Sequence, residues 1–408
     1  MRWIISLLFL VLFQYYSFQA IKTTISNKLI LFLYVIVVIL VIGNLLFHTV
    51  IIERSTQTEP RLMYAIGFFI SLFTFQALIT IILLGEDILR VPQGIYSFFT
   101  KMPGETKFLP ERRKIISQIA IGIAAIPFIS LLYGMYRGKY NYKVLSYKLK
   151  YDDLPDVFDG YKIVQISDIH SGSFDNQKKV QYGVDLINSQ EADLVLFTGD
   201  LVNNRADEIY PWIETFKKIN AKQGVYSILG NHDYGDYMRW ETKDDKINNM
   251  QMLYEAHSKM GWKLLLNDSH FIEKDGQRIA LIGVENWGSG FRQSGDLNKA
   301  LKKVDSNDFK ILLSHDPSHW EAKVLPHPFK IQLTLSGHTH GMQFGIEIPG
   351  WIKWSPVKWR YKHWAGIYED KKQLLNVNRG FGYLAYPGRV GIWPEVSVIT
   401  LSKTESRI

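Results

Sequence analysis

Four stretches, Trp3 to Ile21, Leu29 to Ile52, Met63 to Leu84 and Ile115 to Tyr136, each run 19 to 24 residues without an Asp, Glu, Lys or Arg. At ~1.5 Å of rise per residue, each is long enough as a helix to cross a hydrocarbon core of about 30 Å. In lipid only a helix or a closed barrel satisfies its own backbone groups. The pattern predicts an all-α transmembrane domain of four helices over residues 1–137. Arg2 ahead of an apolar core also suits a cleaved signal peptide. Phe18-Gln19-Ala20 lacks the small-x-small cleavage pattern, however, and the first segment is read as an anchor. The polar residues Asn44, His48, Gln76 and Gln118 are read as glue between helices rather than as a transport path. Pro127 is expected to kink the fourth helix.

Charge is divided unevenly along the chain. Residues 1–137 hold 12 Lys and Arg against 6 Asp and Glu, leaving 35 against 33 for the rest. The basic balance therefore belongs to loops around the apolar segments, and no nucleic-acid footprint is read from it. Four spans put the N-terminus and the C-terminal domain on one side. That side carries Arg2, Arg54, Arg61, Arg137, Lys139, Lys143, Lys148 and Lys150; the other carries Lys22, Lys28, Arg90, Lys101, Lys107, Arg112, Arg113 and Lys114. The counts are equal. If the lysines at the domain entry belong to a folded strand, the loop from Arg90 to Lys114 becomes cytoplasmic. The domain would then lie outside the cytoplasm, anchored in a plasma or inner membrane and in contact with its lipids. The absence of cysteine excludes disulfides, thiolate ligands and a cysteine nucleophile.

From Tyr140 the pattern changes. Tyr142 to Leu149 alternates like a strand, and apolar strands then alternate with helix-like stretches at Gln177 to Asn188 and Pro211 to Ile219. Five strands run into turns loaded with metal-ligand side chains. Tyr161 to Ser167 leads to Asp168 and His170, and Asp193 to Phe197 leads to Gly199-Asp200. Val225 to Leu229 leads to Gly230-Asn231-His232-Asp233, and Phe309 to Leu313 leads to Ser314-His315-Asp316. Phe329 to Leu335 leads to Ser336-Gly337-His338-Thr339-His340-Gly341. Strands that end in such side chains at their carboxyl edges are how an α/β sheet assembles a site from distant residues.

In this order the five motifs resemble the signature of the calcineurin-like metallophosphoesterases, over about Phe158 to Leu401. The membrane-anchored branch is the nearer likeness, with Phe158-Asp159-Gly160 before the first metal strand and Pro394-Glu395 before the last strand. The resemblance implies an α/β four-layer sandwich over residues 138–408 and a dinuclear site for two divalent metal ions. Asp168, His170, Asp200 and His340 would hold one metal, and Asp200, Asn231, His315 and His338 the other. Nitrogen and oxygen ligands without sulfur suit Mn, Fe or Zn. A metal-bridging hydroxide would attack phosphorus, His232 would protonate the leaving oxygen or stabilise charge on the phosphoryl group, and Asp233 would orient His232 or cap a helix. Asn286 and Arg389 are possible phosphate contacts. The branch commonly has Gly-Gly-Gln after its last histidine; here Gly341-Met342-Gln343 adds a side chain.

Immediately downstream, Trp351, Trp354, Trp359, Tyr361 and Trp364 interleave with Lys353, Lys358, Arg360 and Lys362. Rings mixed with cations suit a membrane interface, and they suit equally a loop packed on the domain by its tryptophans. With the short tether after Tyr136, they favour a lipid-linked phosphodiester or diphosphate substrate. The connection from Tyr234 to Trp262 is expected to cap the site. Two rival readings are a phosphomonoesterase acting on a soluble nucleotide or phosphoprotein, and a membrane transporter or receptor that uses the domain as an interaction module.

Overall fold

The computed structural model describes residues 2–51, 60–100, 110–348 and 350–404. Arg54, Lys101 and Lys107 of the charge comparison lie outside the described residues. The chain divides into two compact units, one made of Met1–Arg54 and Arg61–Tyr133, the other carrying Gly134–Ile408.

The first unit is helical. Its helices are α1 (Arg2–Thr24), α2 (Lys28–Leu46), α3 (Pro60–Thr100) and α4 (Pro110–Tyr136). Among the described residues, Lys28–Thr49, Pro60–Tyr96 and Glu111–Tyr136 are long and apolar enough to cross a membrane. The Asn27 side chain starts α2 by accepting from the N–H of Leu29 and of Ile30. α2 buries none of its residues, as suits a helix solvated by lipid. α3 runs sixteen residues past the apolar segment that ends at Leu84. Its charges there are paired: Arg113 of α4 donates to Glu86 at 2.7 Å and to Asp87 at 2.9 Å, and Tyr16 of α1 donates to Asp87. Deeper in the bundle, Gln76 donates to Gln14 at 2.7 Å and to Tyr34 at 3.0 Å, tying three helices together.

The second unit holds two six-stranded sheets. In the first, β1 (Lys143–Tyr151), β2 (Lys162–Ile166), β3 (Leu194–Phe197), β4 (Val225–Ser227) and β5 (Trp262–Leu264) are joined by β14 (Glu395–Lys403), in the order β1-β14-β2-β3-β4-β5. The second contains β6 (Asp268–Lys274), β7 (Gln277–Gly283), β8 (Phe309–Leu313), β9 (Leu333–Ser336), β12 (Gly366–Asp370) and β13 (Gln373–Val377), in the order β12-β13-β9-β8-β7-β6. β10 (Ile346–Ile348) and β11 (Ile352–Trp354) form a separate hairpin. The helices are α5 (Gln177–Asn188), α6 (Ile213–Phe216), α7 (Lys243–Lys259) and α8 (Leu297–Ala300).

Alternation along the strands builds the layers. Ile163, Leu194, Leu196 and Tyr226 of the first sheet pack against Leu281, Ile311 and Leu335 of the second in one buried cluster. The opposite face of the second sheet, with Ala280, Ile282, Leu312 and Val377, packs on Leu297 and Ala300 of α8 and on Trp320. On the outer side of the first sheet, α5 turns Val180, Val184 and Ile187 inward at helical spacing. This is the expected four-layer sandwich. β2, β3, β4 and β5 run parallel, as do β7, β8, β9 and β13, so the strand ends carrying the histidine and aspartate turns share one edge of the sandwich.

One local expectation needs correction. Pro211 to Ile219 holds the end of a 3-10 run, Ala206–Trp212, and the single turn α6, not a continuous helix. The connection from Tyr234 to Trp262 contains α7, begun by a capping box in which Thr242 accepts from the N–H of Asp245 and Asp245 accepts from that of Thr242.

Replacing Gln76 by Leu leaves Gln14 and Tyr34 without their shared partner. A loss of roughly 1 kcal/mol in helix association is expected, readable as a lower unfolding midpoint of the full chain in detergent. An unchanged midpoint would mean that the amides carry no packing energy.

Candidate metal centre

All seven donor residues lie at the carboxyl ends of five strands. β2 delivers Asp168 and His170, β3 delivers Asp200 and β4 delivers Asn231. From the second sheet, β8 delivers His315, and β9 delivers His338 and His340. Five of the seven hold a left-handed backbone: Asp168 (φ 52°), His170 (48°), Asp200 (61°), His338 (70°) and His340 (50°). Each such residue costs about 1–2 kcal/mol relative to an ordinary conformation, and strain of this kind collects where side chains must be aimed against local preference. Two glycines allow the close approach. A Cβ on Gly337 would lie 2.3 Å from the Asp168 carboxylate, and one on Gly230 would lie 2.2 Å from that of Asp200.

The side chains converge as two groups, Asp168 with His170 and His340, and Asp200 with His315 and His338. In the first, the Nε2 atoms of His170 and His340 face each other at 3.0 Å, and Asp168 Oδ1 lies 3.2 Å from His340 Nε2. In the second, His338 Nδ1 lies 3.3 Å from His315 Nε2 and 2.8 Å from Asn231 Oδ1. Asp200 Oδ2 reaches both groups, 3.5 Å from His170 and 3.2 Å from His315.

The outer ring nitrogens show how the inner ones are aimed. His170 Nδ1 meets Asn203 Oδ1 at 3.1 Å, His315 Nδ1 donates to the Thr198 carbonyl at 2.7 Å, and His338 Nε2 meets the Tyr361 hydroxyl at 2.7 Å. An imidazole fastened at one nitrogen offers the other as a ligand, and this donor set of imidazoles, carboxylates and one amide oxygen fits divalent cations. At His340, Arg389 lies 3.2 Å from Nδ1, while Nε2 faces Asp168 at 3.2 Å.

Electrostatics point the same way. Burial disfavours the Asp168 and Asp200 anions, but His340 beside the first and His315 beside the second outweigh it, holding both carboxyls well below their usual range. Burial likewise opposes a cationic His315, yet the Asp200 carboxylate lifts it to about 10. The carboxylates thus draw positive charge into a buried site, which is the demand that metal ions meet.

His232 stands beside the first group, its ring edge-on to His170 with centroids 5.0 Å apart. Its Nδ1 donates to the Asn203 carbonyl at 2.8 Å, leaving Nε2 as the atom available for chemistry. Asp233 does not orient this ring and caps no α-helix. Its buried carboxylate accepts instead from the N–H groups of Asp200, Leu201, Val202 and Gly230 at 2.8–3.2 Å, holding the β3 and β4 turns together. Burial, then the Asp200 charge, pushes Asp233 up to about 7 despite those donors. Neither expected phosphate contact is free to serve. Arg389 is buried, donating to the Gly380 and Gly382 carbonyls as well as to His340, and Asn286 donates to the Arg292 carbonyl within its own loop.

Two tyrosines aim donors, a role that their sequence setting in the cap and in the aromatic run did not assign them. Tyr237 accepts from Asn231 Nδ2 at 2.8 Å, which turns the amide oxygen toward His338, and Tyr361 fastens His338 and reaches Asp316 at 3.3 Å. Met342 does not crowd the metal turn: its side chain is exposed, on a left-handed backbone that glycine adopts without strain.

Residues 161–342 match the family described as "Calcineurin-like phosphoesterase", and residues 1–139 match "Probable Calcineurin-like phosphoesterase, transmembrane domain". The chain is a membrane-anchored calcineurin-like metallophosphoesterase. Among its relatives, the "Uncharacterized metallophosphoesterase YkuE" of Bacillus subtilis is 28% identical over 67% of this chain and 90% of that one. An "Uncharacterized metallophosphoesterase" of Helicobacter pylori is 29% identical over 72% of this chain and 73% of that one. The "Transmembrane protein with metallophosphoesterase domain" of Danio rerio is 26% identical, matching 72% of this chain; the match spans 63% of the zebrafish protein. The present metallophosphoesterase is a metal-dependent phosphoester hydrolase of the membrane.

In this metallophosphoesterase Asp233→Asn exchanges a shared acceptor for a group that is half donor, facing four N–H groups. A loss of ~2 kcal/mol is expected, seen as a lower thermal midpoint, with any pH dependence of turnover that arises at His232 left in place. A variant of unchanged stability but altered pH profile would return Asp233 to the role of orienting His232.

Proposed function

We propose that Asp168, His170, Asp200 and His340 hold one divalent cation and that Asp200, Asn231, His315 and His338 hold a second. The enzyme then hydrolyses a phosphodiester or diphosphate carried on a lipid. The observation that carries the dinuclear reading is the placement of Asp200 Oδ2, within 3.5 Å of a donor in each group. One carboxylate with two oxygens can serve both positions. Mn, Fe and Zn all suit donors without sulfur. Cations bound there supply Lewis acidity to phosphoryl oxygens and lower the pKa of a bound water.

The chain's own groups supply the rest. With its Nδ1 proton committed to the Asn203 carbonyl, a cationic His232 delivers the Nε2 proton to the leaving oxygen. Asn231 adds an oxygen without adding charge, its amide turned by Tyr237. Asp233 keeps the β3 and β4 turns in register, so Asp200 and His232 stay at fixed separation. The lipid character of the substrate rests on the aromatic and basic segment 351–364, which contacts the site through Tyr361 and His338.

Full-length protein stripped with chelator and given Mn should hydrolyse bis(p-nitrophenyl) phosphate in preference to p-nitrophenyl phosphate. Asn231→Ala should abolish turnover, and His232→Ala should lower kcat by roughly 10²–10⁴-fold while elemental analysis finds the metal retained. A preference for the monoester would favour the soluble-phosphomonoester reading. With Lys143, Lys148 and Lys150 discounted as part of β1, the charge comparison favours a catalytic unit outside the cytoplasm. In this cysteine-free chain, Ile247→Cys should then react with a membrane-impermeant maleimide in intact cells, and reaction only after lysis would reverse the topology.

A further inference from the structure

The β10 strand of the β10–β11 hairpin is built inside out. The hairpin register pairs Ile346 with Trp354, Glu347 with Lys353 and Ile348 with Ile352, so alternation puts the two charges on one face and the apolar residues on the other. The charged face is fastened to the protein. Glu347 accepts from Arg379 at 2.6 and 3.0 Å, and Lys353 donates to the Ala365 carbonyl. On β10 the apolar side chains are turned outward, Ile346 51% and Ile348 43% exposed against a half-buried Glu347, while on β11 Ile352 and Trp354 are half-buried and Lys353 is exposed. A half-buried antiparallel strand normally does the reverse of β10.

Other apolar side chains extend this face. Trp351 and Trp359 are each 76% exposed, and Met342, beside the metal turn, is 59% exposed. Trp359 sits edge-on to Trp354, with ring centroids 6.0 Å apart. The base of the segment is anchored: Val357, Trp364, Ala365 and Ile392 form a small buried core with Tyr361 packed against it. Part of the aromatic run therefore does pack on the domain, while Trp351 and Trp359 are presented to the outside from a fixed base. Lys358, Arg360 and Lys362 lie exposed alongside, with Glu321 as the acidic partner of Lys362 at 3.3 Å.

We propose that this face docks in the headgroup layer of an anionic bilayer, with Trp351 and Trp359 as its anchors. Three observations favour lipid over a protein partner. Exposed tryptophans mixed with aliphatic residues and bordered by cations have the chemistry of a membrane interface. Lys358, Arg360 and Lys362 are exposed beside the tryptophans, where cations are attracted to an anionic surface. The chain is membrane-anchored, so bilayer is always within reach at high effective concentration. Trp359 is two residues from Tyr361, whose hydroxyl meets His338. Docking thereby ties the position of the lipid surface to the metal turn. The inference deepens the lipid-substrate reading, but its test needs no substrate.

The chain contains no cysteine, so single substitutions take a label cleanly. Trp351→Cys and Met342→Cys, each carrying an environment-sensitive fluorophore, are compared with Ile247→Cys on α7, which is also exposed. The full-length protein is reconstituted into vesicles containing phosphatidylglycerol and shallow nitroxide-labelled lipid. Labels at 351 and 342 should shift to the blue and be quenched at least twofold more than the label at 247. That excess should fall when phosphatidylcholine replaces phosphatidylglycerol, or when Lys358, Arg360 and Lys362 are changed to Gln. Equal quenching at 351 and 247 would overturn the proposal. So would labels shielded from aqueous iodide but untouched by lipid nitroxide, because protein would then cover the face. Docking observed without turnover of any lipid phosphoester would sink the substrate reading and leave the docking surface standing.

Discussion

Two buried carboxylates, Asp168 and Asp200, occupy the seam where the strand ends of the two sheets meet. Placing anions there without water is costly unless every lone pair finds a donor or a cation. The surrounding structure answers that requirement. His338 of the second sheet donates its backbone N–H to both Asp168 oxygens at 3.0 Å, and the backbone N–H of His232 donates to Asp200 at 2.9 Å. Histidines close the remaining sides. The same bonds that satisfy the anions therefore link one sheet to the other, and the site is also a structural joint.

That joint is held in a strained form. Left-handed residues concentrate at the three turns that carry Asp168, Asp200 and the two histidines after β9. Such turns persist because the strands beneath them are set by the packed inter-sheet core and by parallel register. Asp233 adds a local brace by gathering four backbone donors from two turns. Rigidity is thus produced below and beside the donors. The tyrosines that aim Asn231 and His338 come from the connections 234–262 and 351–364, each with one face on the site.

The chain meets two solvents with opposite rules. In the helical unit, apolar side chains are turned outward, and polar ones are paired inside, as with Gln14, Gln76 and Tyr34. In the catalytic unit the usual order of apolar inside and charged outside holds, and the hairpin of β10 and β11 breaks it. Its charges are bonded to the domain, and Ile346 and Ile348 of β10 are exposed. The exception adopts the membrane rule on a domain otherwise built for water.

Local patterns in the sequence were enough for several elements. Charge-free length called for membrane helices, short apolar runs marked most of the strands that were read, and Gln177 to Asn188 is a helix as expected. Chemistry at strand ends singled out the seven donors, because a turn crowded with imidazoles and carboxylates is legible within a few residues. Tertiary structure alone decided which atoms meet. Asp233 serves backbone amides instead of His232, Arg389 is enclosed by carbonyls, and Tyr361 touches His338 from 23 residues away. The outward face of β10 likewise depends on Arg379 and Ala365, which capture the charges of the hairpin from outside it. The physical reason is common to all four. Local sequence determines which groups a turn can offer, whereas sheet register and the packing of distant loops determine which partner each group reaches.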